Sequence, residues 1–108
     1  VAPWGIDFDP NTWQTKTGGS ILKVDLKTKV VTSMTSPIGN LDGLEKTVHG
    51  YLATDWLAGK VFYIKDTTVT EVLDLPQGSD DLAFDKTTKT VFIRLMNDNK
   101  IVVYSIKK

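Results

Sequence analysis

The sequence predicts an all-β fold, a partial β-propeller of about two and a half four-stranded antiparallel blades. Short runs of β-branched and aromatic residues alternate with turn residues along the whole chain. One strand-like motif also returns at a spacing of 40 residues. Four short strands in about 40 residues is typical of one propeller blade.

The recurring motif is the predicted third strand of each unit. Residues 60–65 return as residues 100–105, and a related segment occupies residues 20–25. Each copy follows residues that tolerate the positive φ of tight turns, namely Gly18-Gly19, Ala58-Gly59 and Asp98-Asn99. We therefore expect three hairpins in equivalent positions.

The other strands of each unit are predicted from the same composition. First strands are expected at 4–9, 41–46 and 80–85, second strands at 51–56 and 91–95, and fourth strands at 30–34 and 69–73. These segments divide the chain into blade units at about 1–36, 37–75 and 76–108. The last unit lacks an outer strand.

The first and last units depart from the repeat. The first unit is short where its second strand should lie, so residues 13–16 form a damaged strand, a replacement loop or the trace of missing residues. The last unit ends on its third strand, and a blade in that state needs an outer strand from elsewhere. We expect the chain to be the C-terminal part of a larger ring, or several copies to assemble into one. Its partners would then be the remaining blades or other copies of the chain.

Composition excludes several classes of function. Thirteen basic and thirteen acidic residues cancel, and no basic run offers a surface to nucleic acid or to an anionic membrane. The chain has no cysteine, so it has no disulfide, thiolate nucleophile or cysteine-based zinc site. Its one histidine, His49, is expected in an exposed turn. No targeting or membrane-spanning segment is visible, which leaves the compartment open.

Two motifs carry a resemblance to a known family. Residues 40–44 read Asn-Leu-Asp-Gly-Leu, and residues 50–56 read Gly-Tyr-Leu-Ala-Thr-Asp-Trp. This pattern resembles the gluconolactonase and regucalcin-like six-bladed propellers, which are related to the strictosidine synthase and paraoxonase-like group. The resemblance covers most of the chain at the level of blade patterns, as a C-terminal portion of such a ring.

The resemblance implies a divalent cation, calcium first, held by side chains that face a central channel. Asp42 matches the family's Asp-Gly pair, and Asp81 lies near the corresponding place in the next unit, with Asp80 as an alternative. Carboxylate oxygens suit such an ion, which could polarise a lactone carbonyl and activate water. The alternative is that Asp42 and Asp81 only accept hydrogen bonds from nearby turn amides.

Two tryptophans are predicted ligand contacts. Trp56 ends a second strand, and Trp4 stands where the family places a channel-facing side chain. Either ring could stack on a small-molecule ligand, or pack between blades. The sequence thus favours a propeller segment that serves as a ligand- or partner-binding scaffold. The alternative is part of a metal-dependent lactonase-like hydrolase.

Overall fold

The computed structural model describes all of residues 1–108, and its regular structure consists of strands alone. Every predicted strand segment holds a strand whose ends lie within about two residues of the prediction. The all-β prediction is therefore confirmed. In chain order the strands are β1 Gly5–Phe8, β2 Thr15–Gly18, β3 Leu22–Val24, β4 Val31–Ser33, β5 Leu41–Lys46, β6 Tyr51–Asp55, β7 Lys60–Lys65, β8 Thr68–Asp74, β9 Ser79–Asp85, β10 Thr90–Leu95 and β11 Lys100–Ser105.

The strands form four antiparallel sheets of consecutive neighbours. The central sheet has four strands in the order β5-β6-β7-β8, and the C-terminal sheet has three in the order β9-β10-β11. Strands β1 and β2 form one two-stranded sheet, and β3 and β4 form another. The predicted first blade of four strands therefore does not form as a single sheet.

The N-terminal hairpin extends beyond the paired residues of β1 and β2. Gly5 pairs with Gly18 and Phe8 with Thr15, while Val1 and Leu22 exchange both backbone hydrogen bonds in the same register. The N-terminal eight residues thus run beside a continuous segment that includes β2 and the start of β3. Too few residues separate β1 from this segment for another strand, so the segment itself pairs with β1.

One turn prediction is wrong. Gly18 and Gly19 do not form a tight hairpin turn, because β2 runs on toward β3 and neither glycine has positive φ. Their role is close approach, since a Cβ on Gly19 would lie 1.8 Å from the carbonyl oxygen of Pro3. At the other two predicted turns, Gly59 has a φ of 73° and Asn99 a φ of 54°.

The central sheet is covered on both faces. Successive residues of a strand point to opposite faces, and in β6 Leu52 packs toward the C-terminal sheet while Ala53 packs toward the N-terminal unit. The larger core joins the central and C-terminal sheets through eight buried residues: Leu52, Val61, Tyr63, Leu82, Val91, Ile93, Leu95 and Ile106. The smaller core joins the central sheet to the N-terminal unit through Ile21, Leu41, Ala53 and Ile64.

The two outer units leave apolar side chains in solvent. Phe92 of β10 lies opposite Val103 of β11, and both are exposed. In the N-terminal unit Val24 lies opposite Val31, and both are likewise exposed. The structure contains no helix with the length and apolar character needed to cross a lipid bilayer.

Candidate functional site

All three tryptophans of the chain meet in one cluster. The ring centroids of Trp4 and Trp56 are 5.7 Å apart, and those of Trp13 and Trp56 are 6.0 Å apart in a stacked arrangement. Trp4 and Trp13 meet edge to face at 6.5 Å. Such distances and angles are favourable for aromatic pairs. We call Trp4, Trp13 and Trp56, with the adjoining Phe8 and Met96, the tryptophan cluster.

The backbone around the cluster is fixed by hydrogen bonds between the N-terminal unit and the central sheet. The Asn40 side-chain amide donates to the carbonyl oxygen of Trp4 at 3.1 Å and to the hydroxyl of Thr15 at 2.8 Å. The backbone carbonyl of Asn40 also accepts from the Trp56 amide at 3.0 Å. Asn40 therefore links the two segments that carry Trp4 and Trp56.

Trp13 is held in an unusual backbone conformation. Its φ is 65°, which is rare for a bulky aromatic residue and carries strain. Its amide donates to the carbonyl of Asp9, and its carbonyl accepts the indole N–H of Trp4 at 3.0 Å. These bonds hold the turn between β1 and β2 so that the Trp13 ring lies on Trp56.

Phe8 and Met96 extend the cluster on either side. Phe8 meets Trp13 edge to face at 5.7 Å, and the indole nitrogen of Trp56 lies 3.0 Å from the sulfur of Met96. Phe8, Trp13 and Met96 are 49%, 54% and 54% exposed, whereas Trp4 and Trp56 are half-buried. The cluster therefore consists of two half-buried rings, Trp4 and Trp56, and an exposed apolar surface formed by Phe8, Trp13 and Met96.

The indole N–H groups of the cluster are not equivalent. Those of Trp4 and Trp56 are directed to acceptors within the protein. The indole N–H of Trp13 has no such acceptor, and its ring is exposed. A ligand on this surface would meet aromatic rings and one free donor.

The sequence predicted Trp4 and Trp56 as ligand contacts, and the structure brings these two rings together. Sequence reasoning missed Trp13, Phe8 and Met96. Trp13 was assigned only to an ambiguous segment, because its position depends on a rare backbone conformation. The available signal was compositional: three tryptophans in 108 residues, with one in an irregular turn.

The predicted acidic residues lie at irregularities of two strands. The register of β5 against β6 shifts between Leu41 and Leu44, around Asp42, and that of β9 against β10 shifts around Asp80 and Asp81. Partial burial and then the negative charges of Asp80 and Asp81 raise the pKa of Asp42 above its ordinary value, against the opposing charge of Arg94. The structure thus places Asp42 within electrostatic reach of both aspartates.

Asp80 is already paired. Its carboxylate is buried and accepts from Arg94 through Nε at 2.9 Å and Nη2 at 2.7 Å. Hydrogen bonding to this carboxylate, together with its charge, raises the pKa of Arg94 above its ordinary value. Asp81 is exposed and accepts from the amide of Leu82 at 2.9 Å. That bond fits the alternative in which Asp81 only accepts a hydrogen bond from a nearby amide, although the amide lies within β9 and not in a turn.

This donor set does not fit the divalent cation that the family resemblance implies. No group of three or more histidine, cysteine, aspartate or glutamate side chains is arranged to hold a metal ion. A calcium ion takes six to eight oxygen ligands, whereas the Asp80 carboxylate is paired with Arg94 and one oxygen of Asp81 accepts from a backbone amide. We therefore derive no catalytic step through a metal at Asp42 and Asp81. His49 is exposed in the turn after β5.

No protein family, curated protein or solved structure matches the chain.

Proposed function

We propose that the chain is a β-propeller segment that acts as a binding scaffold, with the tryptophan cluster as its ligand-binding surface. One observation carries the proposal: each of the three stacked units contributes to the cluster. Trp13 comes from the N-terminal unit, Trp56 follows a strand of the central sheet and Met96 follows a strand of the C-terminal sheet. Binding surfaces are often formed where loops of a rigid scaffold converge.

Sheet packing supports the propeller part of the proposal. Three successive units of the chain stack in order, each on the next, through apolar faces. The Trp56 amide donates to the carbonyl oxygen of Asn40, and the Met96 amide donates to that of Gly78. The two donors are 40 residues apart and the two acceptors 38, and similar contacts at nearly the repeat spacing are what repeated blades would produce.

The outer faces support the proposed partners. The exposed residues Phe92 and Val103 on one side, and Val24 on the other, are 40 residues away from Leu52, Tyr63 and Ile64, which are buried between the inner sheets. Large exposed apolar patches mark interaction sites. We propose that further blades, from the same ring or from other copies of the chain, cover these faces.

A titration with three probes tests the binding role. Tryptophan fluorescence of the chain is followed with a proline decamer carrying terminal arginines, with cellohexaose and with tetramethylammonium chloride. A saturable change with any one probe, lost in Trp13→Ala and kept in Phe92→Ala, is the expected result. Phe92 is the matched control, because it is an exposed aromatic residue outside the cluster. No saturable change with any probe would refute the role.

The alternative proposal is that the chain forms part of a metal-dependent lactonase-like hydrolase, in an assembly whose other parts add metal ligands to Asp42. Its support is the resemblance and the proximity of Asp42 to two further aspartates. Calorimetric titration of the assembled protein with calcium tests it. Binding that is weakened by Asp42→Asn would support the alternative, and absence of heat would remove it.

A further inference from the structure

The last strand of the C-terminal sheet has one open edge. β11 pairs with β10 along one side, and no strand lies along its other side. In the central sheet the third strand, β7, has the same place in the order and pairs with β8 on that side. The C-terminal sheet therefore ends one strand earlier than the central sheet, and its last strand leaves backbone groups unpaired.

The hydrogen-bonding pattern shows which groups these are. The Ile106 amide donates to the carbonyl oxygen of Lys89, the residue before β10. Hydrogen-bonded positions alternate along an antiparallel pair. The amides of Ile101, Val103 and Ser105 therefore face away from β10, toward the open edge.

β11 lacks the features that usually prevent an edge from pairing. Native edge strands are commonly short, bulged or interrupted by proline. Of the other outer strands, β4 has three residues, and β8 pairs with β7 through a register shift. β11 has six residues, contains no proline and pairs with β10 without a shift. It is therefore a regular template for the addition of an antiparallel strand.

The ion pairs of β7 indicate the charge of the missing neighbour. The ammonium group of Lys60 lies 2.9 Å from Glu71 and 3.2 Å from Asp74, both on β8. Lys100 begins β11 as Lys60 begins β7, and it forms no salt bridge. Acidic side chains on an added strand would pair with Lys100 in the same way, for a modest gain at this exposed position.

The register of β7 with β8 indicates an apolar residue beside the acidic one. Leu73 lies opposite Val61 and packs against the larger core. Ile101 is the second residue of β11, as Val61 is of β7, and it is 64% exposed. An apolar side chain opposite Ile101 would remove part of this surface from water.

Another copy of β11 does not fit this edge. Lys107 and Lys108 follow the strand closely, and Lys100 begins it. Two β11 strands paired antiparallel would bring the start of each strand to the end of the other, so lysines would meet lysines. Every other strand of the chain already belongs to a sheet. We therefore expect the neighbour to come from a different polypeptide.

We propose that the open edge of β11 binds an extended segment of a partner polypeptide, which joins the C-terminal sheet as a fourth, antiparallel strand. The segment carries an acidic residue opposite Lys100 and an apolar residue opposite Ile101. This edge is separate from the tryptophan cluster, so it adds a second binding surface to the proposed function.

The probe is a peptide with the sequence of residues 67–75, which contains β8 and therefore the acidic and apolar residues of this pattern. Amide hydrogen exchange of the full chain is measured with and without the peptide. We expect exchange to slow at Ile101, Val103 and Ser105, whose amides would donate to the added strand. The amide of Val102 faces β10 already, so its exchange should not change.

Val103→Pro tests the backbone of the edge. Proline at this position removes only an amide that faces away from β10, so the chain should fold, which thermal unfolding checks. The peptide should then no longer slow exchange at Ile101 and Ser105.

Lys100→Glu tests the charge of the partner. It should weaken binding of the peptide about fivefold, and a peptide with lysine in place of Glu71 and Asp74 should restore the affinity. Lys27→Glu, at an exposed position of the N-terminal unit, is the matched control and should leave the affinity unchanged. If Val103→Pro fails to fold, these charge reversals still decide between the outcomes.

Three results would overturn the proposal. One is unchanged exchange at the three edge amides in the presence of the peptide. Another is equal affinity of the peptide for the unmodified chain and Lys100→Glu. The third is slowed exchange that needs no peptide and grows with chain concentration, which would show that β11 pairs with itself. None of them affects the tryptophan cluster, whose titration with three probes tests the proposed function separately.

Discussion

Arg94, on the neighbouring strand, donates two hydrogen bonds to Oδ2 of the buried Asp80 carboxylate, from Nη2 at 2.7 Å and from Nε at 2.9 Å. The pair is asymmetric, because the Asp80 side chain is almost fully buried whereas that of Arg94 reaches solvent. The buried member therefore depends on the exposed one for compensation of its charge.

Replacing Arg94 should reveal this dependence. Arg94→Leu leaves the Asp80 charge buried without its partner and should lower the free energy of unfolding. Chemical denaturation measures the change. In an Asp80→Asn background the same replacement should lower the free energy of unfolding by clearly less, because no buried charge is left unpaired. Equal costs in the two backgrounds would contradict a role for the pair.

The free energy of unfolding should depend on pH in part through the ionisation of Asp42. Its folded-state pKa lies above the unfolded value, so the ionised carboxylate destabilises the folded chain at neutral pH. This loss of stability is fully present at pH values above the folded-state pKa of Asp42. It decreases as the pH falls through the folded-state pKa and is absent below the unfolded-state pKa. Asp42→Asn should therefore stabilise the chain at pH 7, and the gain should vanish in acid.

Denaturation curves at neutral and acidic pH measure the Asp42 effect. Asp98→Asn is the matched control, since Asp98 is an exposed aspartate of the turn between β10 and β11, and its replacement should give no comparable gain. A gain for Asp42→Asn that is equal at both pH values, or a loss at pH 7, would contradict the assigned origin of the shift.

The strands could be predicted from the sequence because they depend on local pattern. β-Branched runs separated by turn residues located β5, β7 and β11 at their observed bounds. The pairing of β2 with β1 could not be predicted in this way. It depends on Gly19 lying against Pro3 and on Val1 exchanging hydrogen bonds with Leu22, contacts that no periodicity encodes.

The candidate site was predictable only where a strand end marked it. Trp4 and Trp56 stand beside strands, and each was predicted separately as a ligand contact; that the two rings touch was not predicted. Arg94 was missed because alternation in β10 assigns it to solvent, and its carboxylate partner turns inward only at a register shift of β9. Bulges change which side chains share a face, and a single sequence does not show them reliably.

Gly43 should tolerate no side chain. A Cβ there would lie 2.6 Å from the carbonyl oxygen of Asp80 and 2.6 Å from Cδ2 of Leu82, because β5 packs directly on β9. The Gly43 amide also donates to the buried hydroxyl of Thr54 at 2.8 Å, and that hydroxyl in turn donates to the Asp80 carbonyl. Both sheets would have to move apart.

We expect Gly43→Ala to lower the free energy of unfolding by about 2 kcal/mol or more, as measured by thermal and chemical denaturation. Glu45→Ala, two residues along the same strand, should change it by less than about 0.5 kcal/mol. A Gly43→Ala protein as stable as the unmodified chain would show that the two sheets do not pack at this distance.

The exposed face of the C-terminal sheet should control self-association of the isolated chain. Phe92 lies opposite Val103, and Ile101 lies opposite Arg94, so three apolar side chains share one bare face. Replacing both Phe92 and Ile101 by serine should reduce binding of an apolar dye and the sedimentation-derived mass at high concentration, because the apolar area open to a partner falls. The free energy of unfolding should stay nearly unchanged, since neither residue belongs to a core.

Lys65→Ser and Lys86→Ser, at exposed polar positions, serve as the control. If the unmodified chain is monomeric and binds no dye, this face is not an interface.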